Sequence, residues 1–150
     1  MTLELRTLKW DMFWLDMAEK VSTRSKDPST KVGSVIVGPD QRFISLGYNG
    51  LPEGDDDESW LIDREIKYET IIHGELNAIL FAEKSLEGAT IYTYPFLPCS
   101  RCASVIRQKR IARVVSFRTD VDRWLKSINL GKQTLARAKH KIEVVEYENG

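Results

Sequence analysis

The sequence predicts an α/β fold built around one sheet. Two observations carry that expectation. In the second half of the chain short apolar runs alternate with amphipathic segments, the pattern of strands joined by right-handed helical crossovers. In the first half, two apolar runs flank the turn Gly38-Pro39-Asp40-Gln41 and read as a hairpin. With 150 residues, 42 % of them hydrophobic, the chain can build one domain with a real core but not two well-stabilised ones.

The elements follow in chain order. Residues 8–24 place Trp10, Phe13, Trp14, Met17, Ala18 and Val21 at helical spacing. That predicts an amphipathic helix on the sheet, with both tryptophans in the core. Residues 25–30 form a polar loop broken by Pro28, and 32–37 and 42–49 are the two hairpin strands. Residues 50 to about 66 read as irregular, with Pro52, Gly54 and the acidic run Asp55-Asp56-Asp57-Glu58. The acidic run is expected to be solvated surface, since carboxylates repel a phosphate. A helix is expected over 73–84, with Leu76, Ile79, Leu80 and Phe81 as its apolar members. A strand over 89–94, a helix over 99–109 after Pro98, and a strand over 112–117 follow. A helix over 122–139, weakened at Gly131, and a last strand over 142–147 complete the chain.

Lys plus Arg and Asp plus Glu each number 22, so the formal charge is zero. Such a chain has no global pull toward DNA, RNA or anionic membranes. Residues 1–10 carry Glu4, Arg6 and Lys9 with no apolar segment after them, and no run approaches the ~20 apolar residues of a membrane span. A soluble, cytoplasmic chain without a signal peptide is expected.

The chemistry is concentrated in two short motifs. His73-Gly74-Glu75 is followed by Pro98-Cys99-Ser100-Arg101-Cys102. Two cysteines this close make a poor disulfide staple and read better as a metal knuckle or a redox pair. One imidazole and two thiolates give Zn²⁺ three ligands and leave its fourth position open, the mark of a catalytic rather than a structural zinc. A closed site would have to recruit His140, the only other histidine, from the far end of the chain. Glu75, two residues past a ligand at a helix start, can enter the pocket without ligating and shuttle protons from water to a ring nitrogen and a leaving amine. Both ligand groups open predicted helices, whose positive ends favour thiolates.

H-x-E followed by P-C-x-x-C is the signature of zinc nucleobase deaminases, and the chain resembles the cytidine and deoxycytidylate deaminase superfamily. The likeness extends to Ser25-Lys26-Asp27-Pro28-Ser29-Thr30-Lys31-Val32-Gly33, to Gly47-Tyr48-Asn49-Gly50-Leu51-Pro52 and to Lys67-Tyr68, and spans about residues 10–115. It implies a three-layer α/β/α fold with a five-stranded mixed sheet, one catalytic Zn²⁺ and the hydrolysis of dCMP to dUMP and ammonia, a supply of dUMP for thymidylate synthesis. It makes Asn49 a substrate-positioning side chain, against the alternative that it supports a turn with Gly50. Val32 is either an apolar contact to the pyrimidine or strand core. Arg118 is either a fork for the substrate phosphate or a solvated loop residue beside a repelling Asp120. Many members of the superfamily are hexamers regulated by dCTP and dTTP with Mg²⁺. Lys26 and Lys31 would meet such a triphosphate, or are plain surface lysines.

Two departures stand out. Gly74 replaces the usual alanine, and Phe117-Arg118-Thr119-Asp120 stands where an aromatic is common. Two other readings compete. A nucleic-acid deaminase would use the basic residues Lys126, Lys132, Arg137, Lys139 and Lys141, although zero net charge argues against it. A zinc-stabilised binding module would have no turnover at all.

Overall fold

A computed structural model describes residues 1–149. Helix α1 is Leu3–Ser22 and is followed by the hairpin strands β1 (Gly33–Val37) and β2 (Phe43–Tyr48). Short helices α2 (Ser59–Ile62), α3 (Arg64–Thr70) and α4 (Gly74–Leu80) come next. The remainder alternates: β3 (Thr90–Tyr94), α5 (Ser100–Gln108), β4 (Arg113–Phe117), α6 (Asp122–Ala136) and β5 (Glu143–Tyr147). The five strands make one mixed sheet in the order β2-β1-β3-β4-β5. β1 is antiparallel to both β2 and β3, whereas β3, β4 and β5 run parallel.

Apolar clusters on the two faces of the sheet make it the middle layer. On one face Trp14, Leu15, Ala18 and Val21 of α1 pack with Val35, Tyr92 and Val115. On the other, Ala78 of α4, Ala103 and Ile106 of α5 and Ile128 of α6 pack with Ile36, Ile91 and Val114. This is the expected α/β/α architecture with its five-stranded mixed sheet.

The helical layers sit unusually close to the hairpin because two strand residues lack side chains. A Cβ at Gly33 would lie 2.0 Å from the Ala18 carbonyl oxygen, and one at Gly47 would lie 2.3 Å from the Ala78 nitrogen. Gly47 thus sets the height of α4 over β2, and Ser45 Oγ pins the same turn by donating to Ala78 O at 2.7 Å. Gly47→Ala is expected to cost about 3 kcal/mol, because backbone rather than a flexible side chain must move. Urea unfolding of the variant measures it.

Five expectations are corrected. Helix α1 begins at Leu3 because Thr2 caps it, its Oγ1 accepting from Leu5 N at 3.1 Å. Trp14 is core, but Trp10 is 48 % exposed. It stacks on Trp14 from outside, 6.0 Å between ring centroids, so the helical spacing placed it one position off the buried stripe. Residues 59–70 are helical rather than irregular. The Asp63 side chain starts α3 by accepting from Glu65 N and Ile66 N, and only Leu61 and Lys67 of the two helices are buried, so no apolar stripe betrayed them. Helix α4 stops at Leu80, leaving Leu80 and Phe81 exposed. Helix α6 runs unbroken through Gly131, whose missing side chain instead lets it approach Pro98 O, 3.0 Å from where a Cβ would stand.

The acidic run is exposed. Asp55 and Asp57 bend it by accepting from Asp57 N and Ser59 N. A buried charge locks α1 to the sheet. Asp11, 1 % exposed, accepts from Arg113 Nη1 and Nη2 at 2.7 Å each, from Tyr92 Oη at 2.8 Å and from Tyr147 Oη at 2.6 Å. One carboxylate thereby joins α1 to β3, β4 and β5. None of the described helices is long and apolar enough to cross a membrane.

Candidate active site

The antiparallel and parallel halves of the sheet meet at the β1–β3 pair. Since β1 opposes both neighbours, its start lies at the same end as the ends of β2 and β3. A cleft of about 530 Å³ opens there. Val32 enters it just before β1, Asn49 just after β2, and Phe96 to Cys99 after β3. Ile72 is tied to this end through a two-bond bridge with Gly50, so His73 emerges at the rim.

His73 is the N-cap of α4 and Cys99 the N-cap of α5, with extended backbones at φ −67° and −66°. Both motifs therefore open helices, as their spacing predicts. His73 Nδ1 lies 3.2 Å from Cys102 Sγ and 3.4 Å from Cys99 Sγ, and all three donor atoms fall within 4.8 Å of one another. A tetrahedral zinc with bonds of about 2.0 Å to nitrogen and 2.3 Å to sulfur sets an N···S edge of about 3.5 Å, so the donor set fits the ion. No fourth donor joins this group among the described residues.

The electrostatics agree. The Cys99 thiol is pulled down to about 4, first by a hydrogen bond with Cys102 and also by His73. Cys102 is pushed up as the partner in that bond and by its burial. His73 is raised, chiefly by its hydrogen bond with Cys99 and against the effect of burial. The three share protons that a divalent cation would displace, so metal affinity falls as pH drops. Glu75, 5 % exposed, is pushed up to about 7 by burial first and by the Cys99 charge second, with His73 opposing.

Gly74 now has a physical account. A Cβ there would stand 3.2 Å from both Val32 Cγ1 and Val32 O, and 3.3 Å from Gly47 O. Val32 thus presses on the His-Gly-Glu turn from the cleft wall. Asn49 also lines the cleft, and its amide is heavily used. Its Oδ1 accepts from Val32 N at 2.8 Å, and Nδ2 donates to Thr30 O at 2.9 Å and Asp27 Oδ2 at 3.3 Å. It holds the 27–32 loop to the strand ends, and one Oδ1 lone pair is left.

The remaining predicted residues are not brought together. Arg118 lies outside the cleft lining and pairs at the surface with Asp120 at 2.9 Å and Glu148 at 3.3 Å. Lys26 and Lys31 are exposed and also lie outside the lining, and Lys31 Nζ caps Ser25 O at 2.5 Å. Sequence reasoning missed what the cleft does contain. Lys67, 8 % exposed, pairs with the buried Asp27 at 3.3 Å, and Arg64, Arg101, Arg123, Phe96 and Trp124 line the walls. Lys67, in the Lys67-Tyr68 segment of the likeness, and Arg101, inside the Cys-Ser-Arg-Cys knuckle, carried the usable signals.

Three convergent nitrogen and sulfur donors with a carboxylate beside them, on an α/β/α frame, are the apparatus of zinc-dependent deaminases. The chain belongs to the cytidine and deoxycytidylate deaminase family, whose zinc-binding region matches residues 8–118. It is 41 % identical to an uncharacterised deaminase encoded in the luxG 3′ region of Aliivibrio fischeri, with 87 % of this chain and 89 % of that one covered. It is 36 % identical to the deoxycytidylate deaminase of Homo sapiens over 72 % of this chain and 64 % of the human one. In fold it resembles the dCMP deaminase of cyanophage S-TIM5 in complex with dCMP and dUMP, with a TM-score of 0.74, 22 % identity and coverage of 98 % and 99 %.

Proposed function

We propose that this enzyme hydrolyses dCMP to dUMP and ammonia in the cleft between β1 and β3. The observation that carries the reading is the placement of Glu75 beside an open three-donor group, in a chain 36 % identical to a deoxycytidylate deaminase. His73, Cys99 and Cys102 hold zinc, which when bound supplies water activated at neutral pH. Glu75 takes one proton from the attacking water and passes it to the ring nitrogen, then takes the second from the hydroxyl added to the ring carbon and passes it to the departing amine as the C–N bond breaks. The Gly74 and Glu75 N–H groups, in the first turn of α4, have no intrahelical partners and can donate to the base carbonyl. Val32 packs against the pyrimidine face, and Asn49 keeps the rim in register.

The test is a turnover screen of cytidine, deoxycytidine, CMP, dCMP and dCTP. Preference for dCMP supports the reading, and absence of activity on every cytosine compound overturns it. Dialysis against a chelator is expected to abolish turnover, and zinc to restore it, with metal content read by atomic absorption. A nucleic-acid deaminase is not favoured: Lys132, in the basic stretch, is neutralised by Glu146 at 2.5 Å. Tight, salt-dependent gel shifts with tRNA or single-stranded DNA would reverse that judgement.

Family membership also supports a cytoplasmic homo-oligomer, a hexamer, feeding thymidylate synthesis under dCTP and dTTP control with Mg²⁺. Light scattering and assays with each triphosphate test these points. Lys26 and Lys31, outside the cleft, are the candidates for a separate nucleotide contact.

A further inference from the structure

One face of α6 lines the cleft that His73 also lines. Arg123, Trp124, Ser127 and Ile128 all line it, as the i, i+1, i+4, i+5 pattern of a single helix face requires. The helix is registered against the cysteine knuckle at two levels. Ser127 Oγ accepts from Ser100 N at 3.0 Å, and Gly131 lets the helix seat against Pro98 O. Arg123 stands one turn before Ser127, about 6 Å further along the axis. It is therefore held at a set distance from the Ser100 end of the cysteine knuckle, in the lining of the same cleft.

Its chemistry is that of an anion anchor. The guanidinium lies over the indole of Trp124, 4.9 Å from the ring, and Trp124 is in turn packed on Phe96, 5.3 Å between centroids. Stacking uses the face of the guanidinium and leaves its edge donors free for a planar, bidentate grip. Among the described residues no carboxylate pairs with Arg123, while Arg110, Arg113 and Arg118 all have such partners. Two further arginines of the lining, Arg64 and Arg101, also lack carboxylate partners among the described residues. Helix stability does not explain the position, since a cation in the first turn opposes the helix macrodipole. The N-cap, Val121, offers no side-chain acceptor either.

We propose that Arg123, braced on Trp124, binds the 5′-phosphate of the substrate and makes the site select a nucleotide over its nucleoside. The proposal rests on the cytosine-nucleotide reading above. In it Arg123 takes the place of Arg118, which lies outside the cleft lining, as the source of the phosphate contact.

The test compares wild type, Arg123→Ala and Arg123→Lys with dCMP and deoxycytidine as substrates, and with dUMP and deoxyuridine as ligands in titration calorimetry. Arg123→Ala is expected to lower the dCMP-to-deoxycytidine ratio of kcat/KM by roughly 10- to 150-fold, the loss appearing in KM. The dUMP-to-deoxyuridine affinity ratio should fall by the same factor. Arg123→Lys keeps the charge without the fork and should recover part of both ratios. Unchanged ratios, or equal losses for nucleotide and nucleoside, overturn the assignment. The calorimetry separates the two claims. A wild type that fails to deaminate dCMP, but whose preference for dUMP collapses in Arg123→Ala, refutes the reaction and leaves the anchor standing. A wild type that binds dUMP no better than deoxyuridine overturns the anchor.

Discussion

Glu75→Gln is expected to lower kcat for cytosine deamination by about 10²- to 10⁴-fold while zinc content stays at the wild-type level. The substitution keeps the shape of a side chain that is 5 % exposed, so the α4 packing and the His73 position survive. What it removes is, among the described residues, the acidic group beside the donor cluster that is free to accept a proton without ligating. The neighbouring Asp27 is committed to Lys67, Ser29 N and Asn49, and Glu69 sits on α3. Steady-state assays paired with metal analysis read both quantities. Full activity with full zinc would show that Glu75 carries no proton, and joint loss of zinc and activity would make it a ligand.

Arg113→Met is expected to destabilise the fold by about 3–5 kcal/mol at neutral pH, because it strands the Asp11 carboxylate in the core. Burial pushes the Asp11 carboxyl up, but Arg113, Tyr147 and Tyr92 outweigh it and hold the group below its ordinary 3.8. A carboxyl depressed on folding contributes stability above its unfolded value of about 3.9, and that contribution is lost as pH falls through the folded value. Without Arg113, burial faces only two phenols. The cost of the substitution therefore shrinks as pH falls through the acid range. Urea unfolding from acid to neutral pH measures the trend, and Asp11→Leu with Arg113→Met should recover most of the loss. A cost under about 1 kcal/mol at neutral pH, the worth of an exposed pair, would mean that Asp11 is not stranded.

The zinc ligands and the proton carrier were legible because each motif is local. A ligand, a glycine and a carboxylate in consecutive positions at a helix start, or two cysteines across the first turn of a helix, converge through backbone geometry that a few residues dictate. The strands of the second half were legible for the same reason, through their period. Helices α2 and α3 were not, because they bury little and are started by Asp63 rather than by an apolar stripe. The sequence left Arg118 open between a phosphate fork and a solvated loop residue, because a guanidinium after a strand looks the same whether it faces a ligand or a neighbouring carboxylate. Its pairing with Glu148, thirty positions along the chain, is visible only in three dimensions.

By itself the sequence pointed to the proposed metal donors and acid–base carboxylate and to the alternation of strands and helices in the second half, and with them to the family. Tertiary structure decided the rest: that Val32 and Gly47 crowd the position where a side chain on Gly74 would stand, and that Arg123 rather than Arg118 lines the cleft. The spacing within each motif spans a few residues and survives in a one-dimensional reading, whereas the 26 positions between His73 and Cys99 are closed by the fold. The walls of the cleft are assembled from α3, α6 and three strand ends, and which side chains meet there depends on how those elements pack.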